Sequence, residues 1–336
     1  MVNKSKSDSG VISAEIARRN DVRLNLPKPA SRNGMLKDTP ALPTANGFCP
    51  ETLADKRVYH PSIPFSDEQF NFFRDLAYRR TGIAISGVKK SMVLRRIRKR
   101  MQEIGISSVH DYCNFLNGPH GNREMQPLIN ALTTNKTSFF REGHHFEHLR
   151  KIGLPESLAR QENLGHGKLR IWSAGCSTGE EAWSIAMVAR DVLGPSADSK
   201  IQILATDIDT DVLATANNGV YNRAIFEAVP TYLRGDYVRP IRGSYGECEV
   251  ERSLRRLVTF KKLNLHDRWP FSKPFDIIFC RNVVIYFDTP TQRVLYNKFA
   301  NALSQDSFLY CGHSELLHGL SDRFLPIGRS IYRRVV

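Results

Sequence analysis

Apolar positions recur with two different periods in two parts of this chain. From "IPFSDEQFNFFRDLAYRRTG" onward, Phe70, Phe73, Leu76 and Ala77 fall at the spacing of a helix face, with Ser66 as the expected cap and Gly82 as the stop. The next segment, "SGVKKSMVLRRIRKRMQEIG", sets Val93, Leu94, Ile97, Met101 and Ile104 on one face and Lys89, Arg95, Arg96, Arg98 and Lys99 largely on the other. "VHDYCNFLNG" and "REMQPLINALTTN" predict two more short helices. From Leu169 the pattern changes to short apolar runs separated by helical stretches: "LRIWSAG", a helix to Leu193, "IQILATDID", "DVLATANNGV", then "FDIIFCRN", "TQRVLYNKFANALS", "SFLYCGHSE" and "SIYRRVV". That alternation predicts a doubly covered parallel α/β sheet, with the last two strands, which no helix separates, pairing antiparallel at one edge. "YVRPIRGSYGECEVERSLRRLVTFKKLNL" interrupts it and predicts a small antiparallel insertion over about residues 236–262.

Four regions follow. Residues 1–55 mix Ser, Asn, Pro and charge without sustained periodicity and read as a disordered or linker-like extension, with a short amphipathic helix at Val11 to Arg19 as an alternative. Residues 56–134 form the helical domain, 135–168 a linker segment and 169–336 the α/β domain. The first residues lack an apolar core of the signal-peptide kind, and no run approaches the roughly 18–20 apolar residues of a membrane span, so cytoplasm is the expected compartment. Six scattered cysteines without a C-x-x-C pair argue against a zinc site or a disulfide scaffold.

A net charge of +14 points to an acidic partner, whether nucleic acid, anionic lipid or an acidic protein face. It is concentrated between Tyr78 and Gln102, where nine basic residues occur without one acid. That stretch is either a solvated helix face or a docking face.

The turn after "LRIWSA" is the place for a ligand, because an open parallel sheet binds beyond the carboxyl ends of its strands. Gly175 and Gly179 allow close approach there, but neither G-x-G-x-x-G nor G-K-[ST] is present to cradle phosphates. The second strand ends in "TDID", and Asp207 is placed to take ribose hydroxyls; alternatively it caps the following helix, as Asp209 or Asp211 equally well would. A glycine turn and a strand-end acid without a pyrophosphate cradle suit S-adenosylmethionine. His144, His145 and His148 do not follow H-E-x-x-H and lack an evident acidic third ligand, so no metal site is expected.

The segments "LTTNKTSFFREGHHF", "STGEEAWSIAM", "ATDIDTDVLATANNGVY", "FDIIFCRNVVIYFD" and "GHSE" closely resemble the bacterial chemotaxis receptor methyltransferases of the CheR type, over about residues 62–336. The resemblance implies an all-α domain before a Rossmann-like methyltransferase sheet with a small antiparallel β-subdomain. It implies an S-adenosylmethionine-dependent glutamate O-methyltransferase acting on cytoplasmic helices of methyl-accepting chemotaxis proteins. Carried over residue by residue, it puts Asn135, Thr137, Arg141, Glu181, Asp207, Asn264, Leu265, Arg281 and Asn282 at the cofactor, beside Gly175 of the turn, with Asp207 on the ribose and Asn264 and Leu265 near the adenine. It puts Arg141 and Tyr286 beside the transferred methyl, and Arg95, Arg96, Arg98 and Lys99 against the receptor's acidic methylation helices. Some members bind a C-terminal receptor pentapeptide through the β-subdomain. A monomer recruited to receptor arrays, with no nucleic-acid partner and no membrane insertion, completes the expectation.

Alternatives remain at the level of residues and of function. Arg141 could pair with Glu142 or Glu147, and Tyr286 could be a core aromatic. A nucleic-acid methyltransferase would show an Asn/Asp-Pro-Pro-aromatic motif or a Pro-Cys nucleophile, and "CRNVVIYF" is neither. A noncatalytic S-adenosylmethionine-binding adaptor is opposed by the intact set Asn135, Thr137, Arg141, Asp207, Asn282 and Tyr286.

Overall fold

A computed structural model describes residues 65–165 and 167–335; the expected extension over 1–55, its alternative helix at Val11 to Arg19 and the start of the helical domain lie outside the described residues. The chain enters through a reciprocal cap. Ser66 Oγ accepts from Gln69 N at 3.2 Å and Gln69 Oε1 accepts from Ser66 N at 3.1 Å, which starts α1 (Asp67–Thr81). Gly82, at φ +75°, ends it by donating to Tyr78 O. α2 (Lys90–Glu103), α3 (Val109–Asn117) and α4 (Gly121–Leu132) complete the domain, and its core gathers Phe70, Phe73, Val93, Ile97, Met101, Tyr112 and Leu128.

A buried carboxylate lies in that core. Glu124 is 5% exposed and accepts from Arg100 Nε at 2.6 Å, Arg100 Nη2 at 2.7 Å and the Tyr112 hydroxyl at 2.8 Å. The forked pair ties α2 to α4, and the tyrosine brings in α3.

After α5 (His144–His148), a π-helical turn and α6 (Leu154–Leu164), the chain builds its main sheet. Its strands are β1 (Leu169–Ala174), β2 (Ile201–Asp207), β6 (Val258–Lys262), β7 (Phe275–Cys280), β8 (Leu303–Cys311), β9 (Phe324–Gly328) and β10 (Ile331–Arg334), in the order β6-β2-β1-β7-β8-β10-β9. The first five are parallel, and β10 runs antiparallel between β8 and β9. β1 and β7 are buried on both faces. One face packs on α7 (Glu180–Leu193) with Trp183; the other packs on the helix Thr289–Ala302, where Trp172 meets Phe275 and Phe299.

Two sequence expectations need correction. The antiparallel sheet is β3 (Val220–Asn222), β5 (Glu247–Val250) and β4 (Val238–Pro240), in the order β3-β5-β4, so the insertion begins before residue 236. Val258–Lys262 does not belong to it. Val258 and Phe260 face the α7 side of the core, and the strand pairs parallel with β2, from Ile203 opposite Val258 to Asp207 opposite Lys262. β9 is the second: it is an additional strand, in sequence between the two that the pattern puts last, unmarked because only Phe324 of it is buried, and Pro326 suits an edge.

No helix among the described residues is long and apolar enough to cross a membrane. Removing the Glu124 carboxylate leaves the buried Tyr112 hydroxyl without its acceptor and the half-buried Arg100 with Glu103 alone, so Glu124→Ala should lower stability by about 2–3 kcal/mol in urea unfolding. A loss below about 1 kcal/mol would mean that the helical core does not depend on this group.

Candidate active site

The cleft opens where β1 lies between β2 and β7, at the carboxyl ends of the strands. Its floor is the glycine turn. Gly175 N and Cys176 N both donate to Thr206 O, at 2.8 and 2.9 Å, and bend the chain away from β1. Gly175 has φ +82°, and a Cβ there would stand 2.4 Å from Val283 Cγ2, so only glycine fits. Ser177, also left-handed at φ +51°, donates its N–H to Asp207 Oδ2 at 2.8 Å.

Asp207 lies at this floor with Oδ1 accepting from Asp209 N at 3.0 Å. Burial pushes its carboxyl above the ordinary range, against the pull of those backbone bonds. The helix cap expected in this segment is Asp209, which accepts from Asp211 N and Val212 N; Asp207 is left facing the cleft. Asn135 lines the cleft, but its amide reaches Asp209 Oδ2 at 2.7 Å, so its side chain braces the floor. Thr137 lines the same wall.

A buried cation forms the next wall. Arg281, at the end of β7, reaches Glu181 Oε2 at 3.2 Å and Glu142 Oε2 at 3.5 Å, and donates to Arg141 O. Its Nε is buried without a hydrogen-bond partner. Burial raises the Glu181 carboxyl despite Arg281 and a 2.7 Å bond from Ser173 Oγ. At Glu142 burial pushes upward as well, but Arg281 and His313 outweigh it and hold the carboxyl below the ordinary range.

Arg141 occupies a tight turn between Phe140 at φ +50° and Glu142 at φ +57°. Neither expected acid takes its guanidinium: Glu142 faces Arg281, His145 and His313, and Glu147 pairs with Lys151 at 2.7 Å. Arg141 Nη1 instead donates to Lys136 O at 2.9 Å, and the side chain lines the cleft.

The same turn brings the acidic neighbour that the histidines lack in sequence. Glu142, His144 and His145 offer ligand atoms within 4.8 Å of one another. The Glu142 oxygen nearest His145, however, also faces Arg281, a fixed cation that competes for that corner. His145 is held neutral, its pKa pushed to about 3 by burial and then by Arg281 and His144. His148 turns to the sheet, with Nδ1 2.8 Å from the Tyr310 hydroxyl.

The facing wall is the loop after β7. Asn282 is left-handed at φ +60°, and the loop is held by one buried carboxylate. Glu315 Oε1 accepts from Val283 N at 2.7 Å, Val284 N at 2.6 Å and Ile285 N at 3.4 Å, while Oε2 accepts from Asn282 N at 2.8 Å and Gly312 N at 2.6 Å. A Cβ on Gly312 would strike Asn282. Tyr286 follows, half-buried on the cleft, and so is not a core aromatic.

The helical domain closes the remaining side with Ile83, Ala84, Lys89 and Met92, none of which the sequence marked as site residues. Lys89 Nζ lies 5.8 Å from the Tyr286 ring centroid, and Ala84 N donates to Tyr286 O at 2.8 Å. Asn264 and Leu265 line the cleft; the Asn264 amide is engaged by Arg80 O at 2.8 Å. Every residue assigned to cofactor or catalysis thus borders one cleft.

The four docking residues divide. Arg95 and Lys99 are exposed on α2 and Arg98 is half-buried. Arg96 is turned inward, which corrects its assignment: Nη1 donates to Leu132 O and Thr133 O at 2.6 Å each, and Nη2 to Thr134 Oγ1 at 3.0 Å. Its long stem lets the head cap the end of α4 from the polar face of α2.

Comparison with known proteins agrees with this architecture. Residues 68–133 match the description "CheR methyltransferase, all-alpha domain" and residues 135–332 match "CheR methyltransferase, SAM binding domain". A probable chemotaxis protein methyltransferase of Rhizobium etli is 40% identical over 260 residues, covering 77% of this chain and 96% of the relative. The chemotaxis protein methyltransferase of Escherichia coli is 38% identical over 272 residues, covering 80% and 92%. Chemotaxis protein methyltransferase 2 of Pseudomonas aeruginosa is 38% identical over 281 residues, covering 81% and 97%. With its helical domain, parallel sheet and cleft matched over most of its length, the chain belongs to the CheR methyltransferase family and carries that family's S-adenosylmethionine-binding domain.

Proposed function

We propose that this chain methylates glutamate side chains on the cytoplasmic helices of chemoreceptors, giving glutamate methyl esters and S-adenosylhomocysteine in sensory adaptation. The observation that carries the reading is that Arg141 and Tyr286 border the same cleft as Asp207 and Arg281.

The cleft fits S-adenosylmethionine on three points of geometry. The backbone at Gly175 leaves no room for a side chain, Asp207 presents a carboxylate at the floor, and Arg281 carries a buried N–H with no partner. Asp207 would take the ribose hydroxyls, Asn264 and Leu265 would border the adenine, and the cations Arg141 and Arg281 would take the amino-acid carboxylate, with Glu181 near its ammonium. When bound, the cofactor supplies a sulfonium methyl that a carboxylate oxygen accepts, the electron pair of the broken C–S bond returning to sulfur.

The protein's own task is then small in chemistry and large in placement. A glutamate carboxylate is ionised at neutral pH, with a reference pKa of about 4.3, so no general base is needed. Arg141, with Lys89 and Lys136 beside it on the cleft, attracts and orients the anion. Tyr286 orients it without a full ion pair, which would lower its nucleophilicity. Proper alignment alone contributes on the order of 7–11 kcal/mol.

The direct test incubates the protein with S-adenosylmethionine carrying a tritiated methyl and a chemoreceptor cytoplasmic fragment, with RNA and DNA in parallel. Base-labile label should appear on the fragment, and Arg141→Ala should cut kcat by about 10²-fold. Label on nucleic acid would overturn the substrate, and a receptor label stable to base would overturn the ester.

Docking has its own readout. Exchange of exposed cations, Arg95→Glu with Lys99→Glu, should raise KM for the fragment about tenfold and leave cofactor affinity unchanged, an effect that fades as salt rises from 0.1 to 1 M. Glu315→Gln replaces one acceptor oxygen with an NH2 that must face backbone N–H groups. It should cost about 1.5–3 kcal/mol in thermal or urea unfolding and lower kcat more than it weakens S-adenosylhomocysteine binding. Unchanged kcat in a folded Glu315→Gln would show that the Asn282–Tyr286 loop keeps its shape without this carboxylate.

A further inference from the structure

Three aliphatic side chains stand in solvent on segments that border or brace the cleft. Val88 is 90% exposed, Leu316 64% and Ile285 46%. Each neighbours a group that shapes the site. Val88 precedes Lys89, whose ammonium hangs over Tyr286; Ile285 precedes Tyr286; Leu316 follows Glu315, whose carboxylate holds the loop that contains Ile285. They come from three segments that are themselves tied together, since Ala84 N donates to Tyr286 O and Ile83 bridges to Phe287. A single exposed aliphatic residue is ordinary, whereas three on linked segments that border or brace one cleft offer an aliphatic partner more than one contact.

The opening has a definite charge. Lys89, Lys136 and Arg141 border it, while the two carboxylates of its lining, Glu181 and Asp207, are buried inside. An occupant that satisfies both features carries an acid between aliphatic side chains. On a helix, residues three or four positions apart lie on one face about 5–6 Å from each other, so a glutamate with aliphatic neighbours at that spacing presents both at once. The chain's own first 64 residues have ten Lys and Arg against six Asp and Glu, the wrong sign for this opening.

We propose that Val88, Ile285 and Leu316 form an apolar collar that seats aliphatic side chains flanking the target glutamate on an acidic amphipathic helix of the partner, and so selects which glutamates are methylated. The inference rests on the glutamate methyl transfer proposed above. The cations draw the helix in and the collar sets its register, because burying an aliphatic side chain discriminates between helical positions in a way that long-range charge does not.

The test is a cycle of enzyme and substrate changes read by tritiated methyl transfer. The enzyme is wild type or Val88→Ser with Leu316→Ser. The substrate is a chemoreceptor cytoplasmic fragment, native or with the aliphatic residues three and four positions from a labelled glutamate changed to serine. Each change alone should raise KM at that glutamate about tenfold, and the two together should raise it no further than one alone. Unchanged calorimetric affinity for S-adenosylhomocysteine reports that the doubly substituted enzyme is folded. A KM within twofold of wild type in the enzyme variant, or effects that multiply, overturns the collar while leaving the methyl transfer standing. Failure of the wild-type protein to label the native fragment overturns the methyl transfer itself, and the collar with it.

Discussion

One buried guanidinium registers the parts of the site. Arg281 lies 100 residues from Glu181 and 140 from Arg141 in sequence, yet it touches the carboxylate of the first and the carbonyl of the second, with Glu142 close by. The end of β7, the first turn of α7 and the turn that carries Arg141 are thereby fixed to one planar group. A buried ion pair is weak evidence for net stability, since desolvation opposes the attraction. Its contribution here is geometric. Without Arg281, Glu181 would be a buried acid held by the Ser173 hydroxyl alone, Glu142 would keep only its histidine neighbours, and the Arg141 turn would lose its tie to the sheet.

The backbone around the cleft is strained at four non-glycine residues: Phe140, Glu142, Ser177 and Asn282 all have left-handed dihedrals. Each such residue costs about 1–3 kcal/mol. Every one of them is held by a specific polar partner. Phe140 N donates to Ser184 Oγ at 3.0 Å, Glu142 faces Arg281, Ser177 N donates to Asp207, and Asn282 N donates to Glu315. Those partners belong to, or lie within four residues of, strands and helices of the α/β domain. The strain is therefore supported from the rigid part of the fold, and the reward is a cleft whose groups need not rearrange as a substrate arrives.

This pattern also explains what was legible in the sequence. The Ser66 cap, the Gly82 stop and the strand–turn–helix around Gly175 rest on local chemistry and appear where the pattern predicts them. Features that depend on distant partners do not show. Val258–Lys262 looks like a strand of the insertion because local periodicity says nothing of which sheet a strand joins. Arg96 sits on the polar side of its helix, and only the fold reveals carbonyls within reach of its head. Glu315 lies in a visible "GHSE" segment, but the N–H groups that it binds on the Asn282–Ile285 loop are about 30 residues away, and no spacing rule points to them. Lys89 is hidden for another reason: in a run of nine cations nothing distinguishes the one that faces the cleft.

The helical domain is more than an attachment beside the enzyme. Its first helix ends at Gly82, where a Cβ would press on His266 and Phe287 of the α/β domain. From there Arg80 O takes the Asn264 amide, Ile83 bridges to Phe287, and Ala84 N meets the carbonyl of Tyr286. Further on, the polar head of Arg96 braces the segment that leads from α4 to Asn135 and Arg141. The exposed cations of α2 and the residues proposed to align the carboxylate thus belong to one connected scaffold. A partner captured, as proposed, through Arg95 and Lys99 would be held by the same helix whose Arg96 supports the approach to Arg141, so recognition would fix position as well as affinity. For a reaction whose nucleophile needs no deprotonation, position is the main thing that an enzyme can supply.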